Sequence, residues 1–180
     1  ANQIPVVLDA DALNDFAGDT ASLGKLLRGR QAILTPPPAE MGRLISIDAD
    51  EVLEQRFGIA ADLARATGAT VLLKGSPSVV FAPTGARYVI ASGTAALATG
   101  GSGDVLSGIA GTLLAQMRDG DNRETEAAAC AAFVHGRAAE LCRFVRGVTL
   151  DDILQALTVA WNERVQTLAP GILARLESRS

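Results

Sequence analysis

TGGSGDVLSGIAGTLLAQM, Thr99 to Met117, sets a glycine-rich turn directly before an apolar helical run. Glycines permit backbone conformations that aim successive N–H groups at one point. A helix that starts at once adds its positive N-terminal end. Gly100, Gly101, Ser102 and Gly103 therefore suit an anion such as a phosphate. The pattern is not a Walker loop: Gly103 and Gly108 have the right spacing, but Ile109 stands where lysine is required. Nor is it the dinucleotide GxGxxG, because Gly101 and Gly103 are followed by Leu106. Asp104 leaves the turn as a carboxylate, which bound phosphate would repel. Two roles fit that position. Asp104 takes a proton from a hydroxyl beside the phosphate, or it favours the helix dipole from the first turn. Gly108 and Gly111 lie inside the helix, where each costs about 1 kcal/mol relative to Ala. That points to tight packing against a neighbouring element.

Outward from this stretch, strands and helices alternate. Ile4 to Leu8 is a short apolar run that ends in Asp9-Ala10-Asp11, a buried strand with acids at its C-terminal end. Asp9 and Asp11 bind substrate or Mg²⁺, or they cap a turn. Leu23 to Leu27 reads as a helix and Ala32 to Leu34 as a second strand. Pro38 opens another helix, with Glu40 in its first turn. Asp48 to Thr67 has helical spacing of apolar residues, and Gly68 is placed to end it. Thr70 to Leu73 is strand-like, and Lys74-Gly75-Ser76-Pro77 follows as a turn. Ser78 to Ala82 and Arg87 to Ala91 form a hairpin around Pro83-Thr84-Gly85-Ala86. Helices are expected over Asp104 to Met117, over Glu124 to Val145, and from a cap at Thr149 towards Leu168. The expected class is α/β, a mostly parallel sheet flanked by helices with a small β-hairpin. Ligands in such folds bind at the carboxyl ends of the strands, where Asp9, Asp11, Thr35 and Lys74 fall.

At 180 residues the chain suits one domain, residues 1–180. With 48% hydrophobic and 20% charged residues it is a folded, not a disordered, chain. A net charge of −4 and no basic stripe argue against nucleic acid as a partner. No apolar run approaches the roughly 18 residues of a membrane span. Cys130 and Cys142 on one helix would be too far apart to bridge, so reduced thiols and a cytoplasmic protein are expected. Both read as small buried apolar residues. His135, the only histidine, sits in an apolar helix and reads as packing. Trp161 reads as core. Lys74 contacts a ligand or is a solvated strand-end lysine.

Five phrases join these features in order: VLDADALN (Val7–Asn14), LTPPPAEM (Leu34–Met41), VLLKGSPSVV (Val71–Val80), LATGGSGDVLSGIAGTLLAQ (Leu97–Gln116) and AAACAAFVHGRAAEL (Ala127–Leu141). Together they resemble the ADP-dependent NAD(P)H-hydrate dehydratases of the ribokinase-like superfamily, across essentially the whole chain. That family removes the hydroxyl at C6 of hydrated NADH and NADPH at the expense of ADP or ATP. The resemblance implies an anion hole at Gly100, Gly101, Ser102 and Gly103, with Gly103 also against the AMP moiety. It implies nucleotide contacts from Lys74, Gly75, Ser76, Pro77 and Ser78, and Asp104 as the base facing the substrate hydroxyl. It assigns Glu40 to Mg²⁺ through water. Two departures stand out. The family phrase is LTPHPGEM, whose histidine contacts the hydrated nicotinamide. Pro37 occupies that position here, with neither a side-chain donor nor a backbone N–H, and Ala39 replaces the glycine. The early glycine-rich strand–turn–helix of the family is also missing. The chain is therefore expected to be the C-terminal portion of a larger catalytic domain, and a severed sheet edge favours a homo-oligomer. Competing functions are a sugar or vitamin-alcohol kinase of the same superfamily, and a catalytically inactive nucleotide-binding fragment.

Overall fold

A computed structural model describes residues 4–118, 120–144, 146–163 and 173–175. The first half alternates strand and helix. Its elements are β1 (Val6–Leu8), α1 (Asp11–Asn14), α2 (Thr20–Leu27), β2 (Ala32–Leu34), α3 (Pro38–Ile45), α4 (Ala49–Glu54), α5 (Arg56–Thr67) and β3 (Thr70–Leu73). Then come β4 (Ser78–Phe81), β5 (Arg87–Ile90), a 3₁₀ turn at Ala95–Ala98, α6 (Ser102–Gln116), α7 (Arg123–Leu141), α8 (Leu150–Asn162) and β6 (Leu173–Arg175).

The strands form one sheet in the order β1-β2-β3-β4-β5-β6. β1, β2 and β3 pair in parallel, with Leu8 opposite Leu34 and Leu34 opposite Val71. From β3 onward the pairs are antiparallel. The β4–β5 hairpin is where the sequence puts it, and β6 extends the antiparallel part by a strand that the sequence did not announce.

Alternation along each strand fills two cores. Leu34, Val71, Leu73, Val79 and Phe81 face α2, α3 and α5. Ile33, Leu72, Val80 and Ile90 face α6 and α7. With both faces covered, the strands read as continuous apolar runs. Ala127, Ala128 and Ala131 are fully buried on α7, and their small side chains let that helix lie close to the sheet. A third cluster, Val134, Ala138, Ile153 and Ala160, fastens α8 onto α7.

Several expectations need correction. The run from Asp48 to Thr67 is two helices separated at Gln55, not one. Gly68 does end the second, at φ 70°, with its N–H donated to the Ala64 carbonyl. α7 stops at Leu141, short of Val145. α8 begins behind the Thr149–Asp152 capping box and ends at Asn162; the stretch to Leu168 lies outside the described residues. Gly108 has nothing within 4 Å of the position a Cβ would take, and Gly111 meets only Val7 Cγ2 at 3.9 Å, so the helix glycines do not mark tight packing. Trp161 is 48% exposed and is not core. Cys130 is exposed and Cys142 half-buried, both free thiols. Among the described residues no helix is long and apolar enough to cross a membrane.

Candidate active site

β1 and β3 bring Asp9 and Lys74 to the same end of the sheet, against the N-terminus of α6. Lys74 Nζ donates to Asp9 Oδ1 at 2.8 Å. Ser107 Oγ, one turn into α6, donates to Asp9 Oδ2 at 2.9 Å. The Lys74 and Asp9 side chains are 22% and 14% exposed, so Lys74 is a held cation and not a solvated one. Gly103 passes over this pair: a Cβ there would lie 3.4 Å from Lys74 Nζ and 3.6 Å from Asp9 Oδ2. Asp11, by contrast, is exposed in the first turn of α1.

The glycine turn is shaped by Gly101. It caps α6 at φ +84°, and a Cβ would come within 2.8 Å of Leu150 Cδ2. The positive φ strains any side chain there, and a Cβ would also push the Leu150 methyl aside. Ser102 donates its N–H to the Thr99 carbonyl at 3.2 Å. The N–H groups of Gly103 and Asp104 have no backbone acceptor among the described residues. They are the orphan donors every helix start leaves, and they give this end of α6 its affinity for negative charge.

Beside this helix end lies a cavity of about 690 Å³. Lys74, Gly75, Ser76, Pro77 and Ser78 form one wall, Ser102 and Gly103 another, and Pro37 reaches its rim. Its apolar part comes from Leu97, Leu106 and Ala132. The loop after β3 is held from outside. Arg56 Nη1, at the start of α5, donates to the carbonyls of Ser76 and Pro77 at 3.3 and 3.1 Å. Ser78 Oγ closes the same turn on Gly75, donating to its carbonyl at 3.1 Å and accepting its N–H at 3.2 Å. The Ser78 hydroxyl therefore shapes the loop.

Gly100, Gly101, Asp104 and Glu40 do not line this cavity. Asp104 is exposed at the start of α6. Glu40 sits in the first turn of α3, with Oε2 buried and without a hydrogen-bond partner. Burial pushes its carboxyl pKa up, Lys74 pulls it back and Asp9 adds to the rise. Such an orphaned oxygen fits a cation. Among the described residues no group of three or more His, Cys, Asp or Glu side chains could hold a metal alone. A Mg²⁺ ion here would take one or two carboxylates and complete its shell with phosphate oxygens and water.

The residue that sequence reasoning missed is His135. It is buried, lines the cavity, and has Nε2 3.1 Å from Ser102 Oγ. The neighbouring glycine carried a signal: a Cβ at Gly136 would lie 2.5 Å from the Ser92 carbonyl oxygen. α7 is thus pressed against the cavity wall at that point.

The family model described as Carb_kinase, NAD(P)H-hydrate dehydratase, matches residues 1–158. The chain belongs to the NAD(P)H-hydrate dehydratase family. The ADP-dependent (S)-NAD(P)H-hydrate dehydratase of Neisseria meningitidis is 45% identical over 145 residues, which are 80% of this chain and 47% of that protein. The bifunctional NAD(P)H-hydrate repair enzyme Nnr of Moorella thermoacetica is 38% identical over 182 residues, covering 96% of this chain and 33% of that protein. The chain therefore spans about half, or less, of the length of these relatives. The Bacillus subtilis ADP/ATP-dependent NAD(P)H-hydrate dehydratase, co-crystallised with ATP/Mg²⁺ and soaked with CoA, superposes with a TM-score of 0.75 at 29% identity. That match covers 87% of this chain and 55% of the other. The family's α/β, ribokinase-like architecture is the one described above.

Proposed function

We propose that this chain carries the nucleotide side of an ADP-dependent NAD(P)H-hydrate dehydratase. The observation that carries the proposal is the cavity in which the Lys74–Ser78 loop faces Ser102 and Gly103 at the start of α6. The relatives named above supply the reaction class. ADP, or ATP, would lie along Lys74, Gly75, Ser76, Pro77 and Ser78, with its phosphates over Ser102 and Gly103 and with Gly100 and Gly101 completing the turn outside the cavity.

In this scheme the C6 oxygen of hydrated NADH or NADPH takes a phosphoryl group from ADP and AMP is left. The lone pair of the ring nitrogen then expels orthophosphate, and loss of a ring proton restores the reduced nicotinamide. Asp104 accepts the hydroxyl proton. The free N–H groups of Gly103 and Asp104, with Lys74, stabilise charge on the transferring group, which is most of what phosphoryl transfer asks of a protein. Lys74 begins paired with Asp9, so its position is fixed before the nucleotide arrives. Glu40 would hold Mg²⁺, which when bound offsets phosphate charge.

Pro37 stands where the family phrase has histidine and offers the substrate no hydrogen bond. Incubation with hydrated NADH, ADP and Mg²⁺ tests the function directly. Release of orthophosphate with recovery of reduced-nicotinamide absorbance supports the dehydratase. A phosphorylated product that persists identifies a kinase, and ADP binding without turnover identifies an inactive binding module. Pro37→His should raise kcat/KM for hydrated NADH; no change would mean that this rim position does not meet the nicotinamide.

A further inference from the structure

Ser102 has already given its backbone N–H to Thr99. What it can still offer an anion is its hydroxyl, and that hydroxyl is 3.1 Å from His135 Nε2. Ser102 and His135 are each 4% exposed, and both line the cavity. A hydroxyl has one proton, and a neutral imidazole has one N–H. If Nε2 accepts the serine proton, Ser102 turns lone pairs towards the cavity and repels an anion. If Nε2 bears the ring N–H, the imidazole donates to Oγ and the serine proton is free to point into the cavity. The tautomer thus sets the sign of the serine's interaction. Lys74 and the free N–H groups of Gly103 and Asp104 make the surroundings an array of donors, in which an accepting serine would be out of place. Burial, reinforced by Lys74, keeps the imidazole neutral by lowering its pKa to about 4. Gly136, seated on Ser92, fixes the depth at which α7 presents the ring.

We propose that His135 is a positioning residue: as its Nε2–H tautomer it donates to Ser102 Oγ and makes the serine hydroxyl a donor to the nucleotide phosphate. This rests on the nucleotide assignment of the cavity made above. His135 itself need not touch the reacting atoms; it acts through Ser102.

The 180-residue chain has one histidine, so ¹⁵N NMR reads its two ring nitrogens without overlap. The expected spectrum shows Nε2 protonated and Nδ1 bare, with the Nε2 signal moving when ADP is added. An Nδ1–H tautomer, or a signal that ADP binding leaves in place, overturns the proposal. By calorimetry, His135→Phe should weaken ADP binding roughly tenfold, the scale of one hydrogen bond to a charged group. His135→Gln, whose side-chain amide reaches the same oxygen, should recover most of that loss. Ser102→Ala should lose a similar factor, and adding His135→Phe to it should cost little more, because the two act as one unit. Unchanged affinity in His135→Phe, or additive losses in the double variant, sinks the inference. Circular dichroism checks that the variants are folded; if His135→Phe is not, the Gln variant, Ser102→Ala and the tautomer still decide. Inorganic phosphate separates this inference from the nucleotide assignment. If phosphate moves the imidazole signal and ADP does not bind, the nucleotide assignment falls and the His135–Ser102 pair stands. If neither ligand moves it, the pair has no such role.

Discussion

His135 makes the protein's stability answer to acid. Its folded pKa is about 4, against an ordinary value of 6.5, because burial, and then Lys74, disfavours the charged ring. Between those values the unfolded chain binds a proton that the folded chain does not. The contribution is complete above about pH 6.5 and is lost as pH falls towards 4, on the order of 3 kcal/mol across the window. Urea denaturation across that range should show a shallower acid slope for His135→Gln than for the wild type; equal slopes would mean that the ring titrates normally. Asp104 allows a separate test at the same scale. If it is the base, Asp104→Asn should lower kcat by about a hundredfold or more while ADP affinity is retained. A variant that keeps its turnover would leave Asp104 only its place at the helix dipole. The sequence showed Asp104 by its position in the glycine turn. It could not show that Asp9, 65 residues from Lys74, holds that lysine, because an ion pair between two strand ends exists only once the parallel sheet has formed.

Among the elements, α7 bears the closest approach. A methyl at Gly136 would meet the Ser92 carbonyl and hydroxyl at 2.5 Å, and that carbonyl belongs to the cavity wall. Gly136→Ala should therefore destabilise the fold by about 1–3 kcal/mol, the usual scale of overpacking, and should weaken ADP binding as the wall shifts. A thermal midpoint equal to the wild type would show that the wall yields freely. α7 also marks where local reading fails. Its alanines, with their high helix propensity, made the helix plain. Nothing in their spacing showed that His135 borders a cavity, since it is an apolar-side position of the same helix. The strands of the first half were legible because each is a short apolar run closed by turn residues. The break at Gln55 was not, because Val52, Leu53 and Phe57 keep helical spacing across it while Leu53 and Phe57 are in fact 41% and 46% exposed.

For the whole molecule, the nucleotide should act as a stabiliser. A ligand that binds only the folded state at a hundred times its Kd adds about 2.7 kcal/mol, so ADP with Mg²⁺ should raise the thermal midpoint and the rise should grow with concentration. Its absence would speak against a formed site. β1 heads the strand order, and among the described residues its outer edge has no strand partner. The family phrases made the architecture legible over most of the chain. β6 escaped because Leu173–Arg175 gains its strand character from the hairpin it joins and has no alternating pattern of its own.

Arg56 grips two main-chain carbonyls of the loop that borders the cavity, and it does so from a helix outside it. Carbonyls are the same whatever side chain a residue bears. The hold on this loop therefore does not depend on the Ser76 side chain, provided the arginine stays. A sequence survey that ranks importance by nearness to the ligand would pass over the residue that supplies this hold.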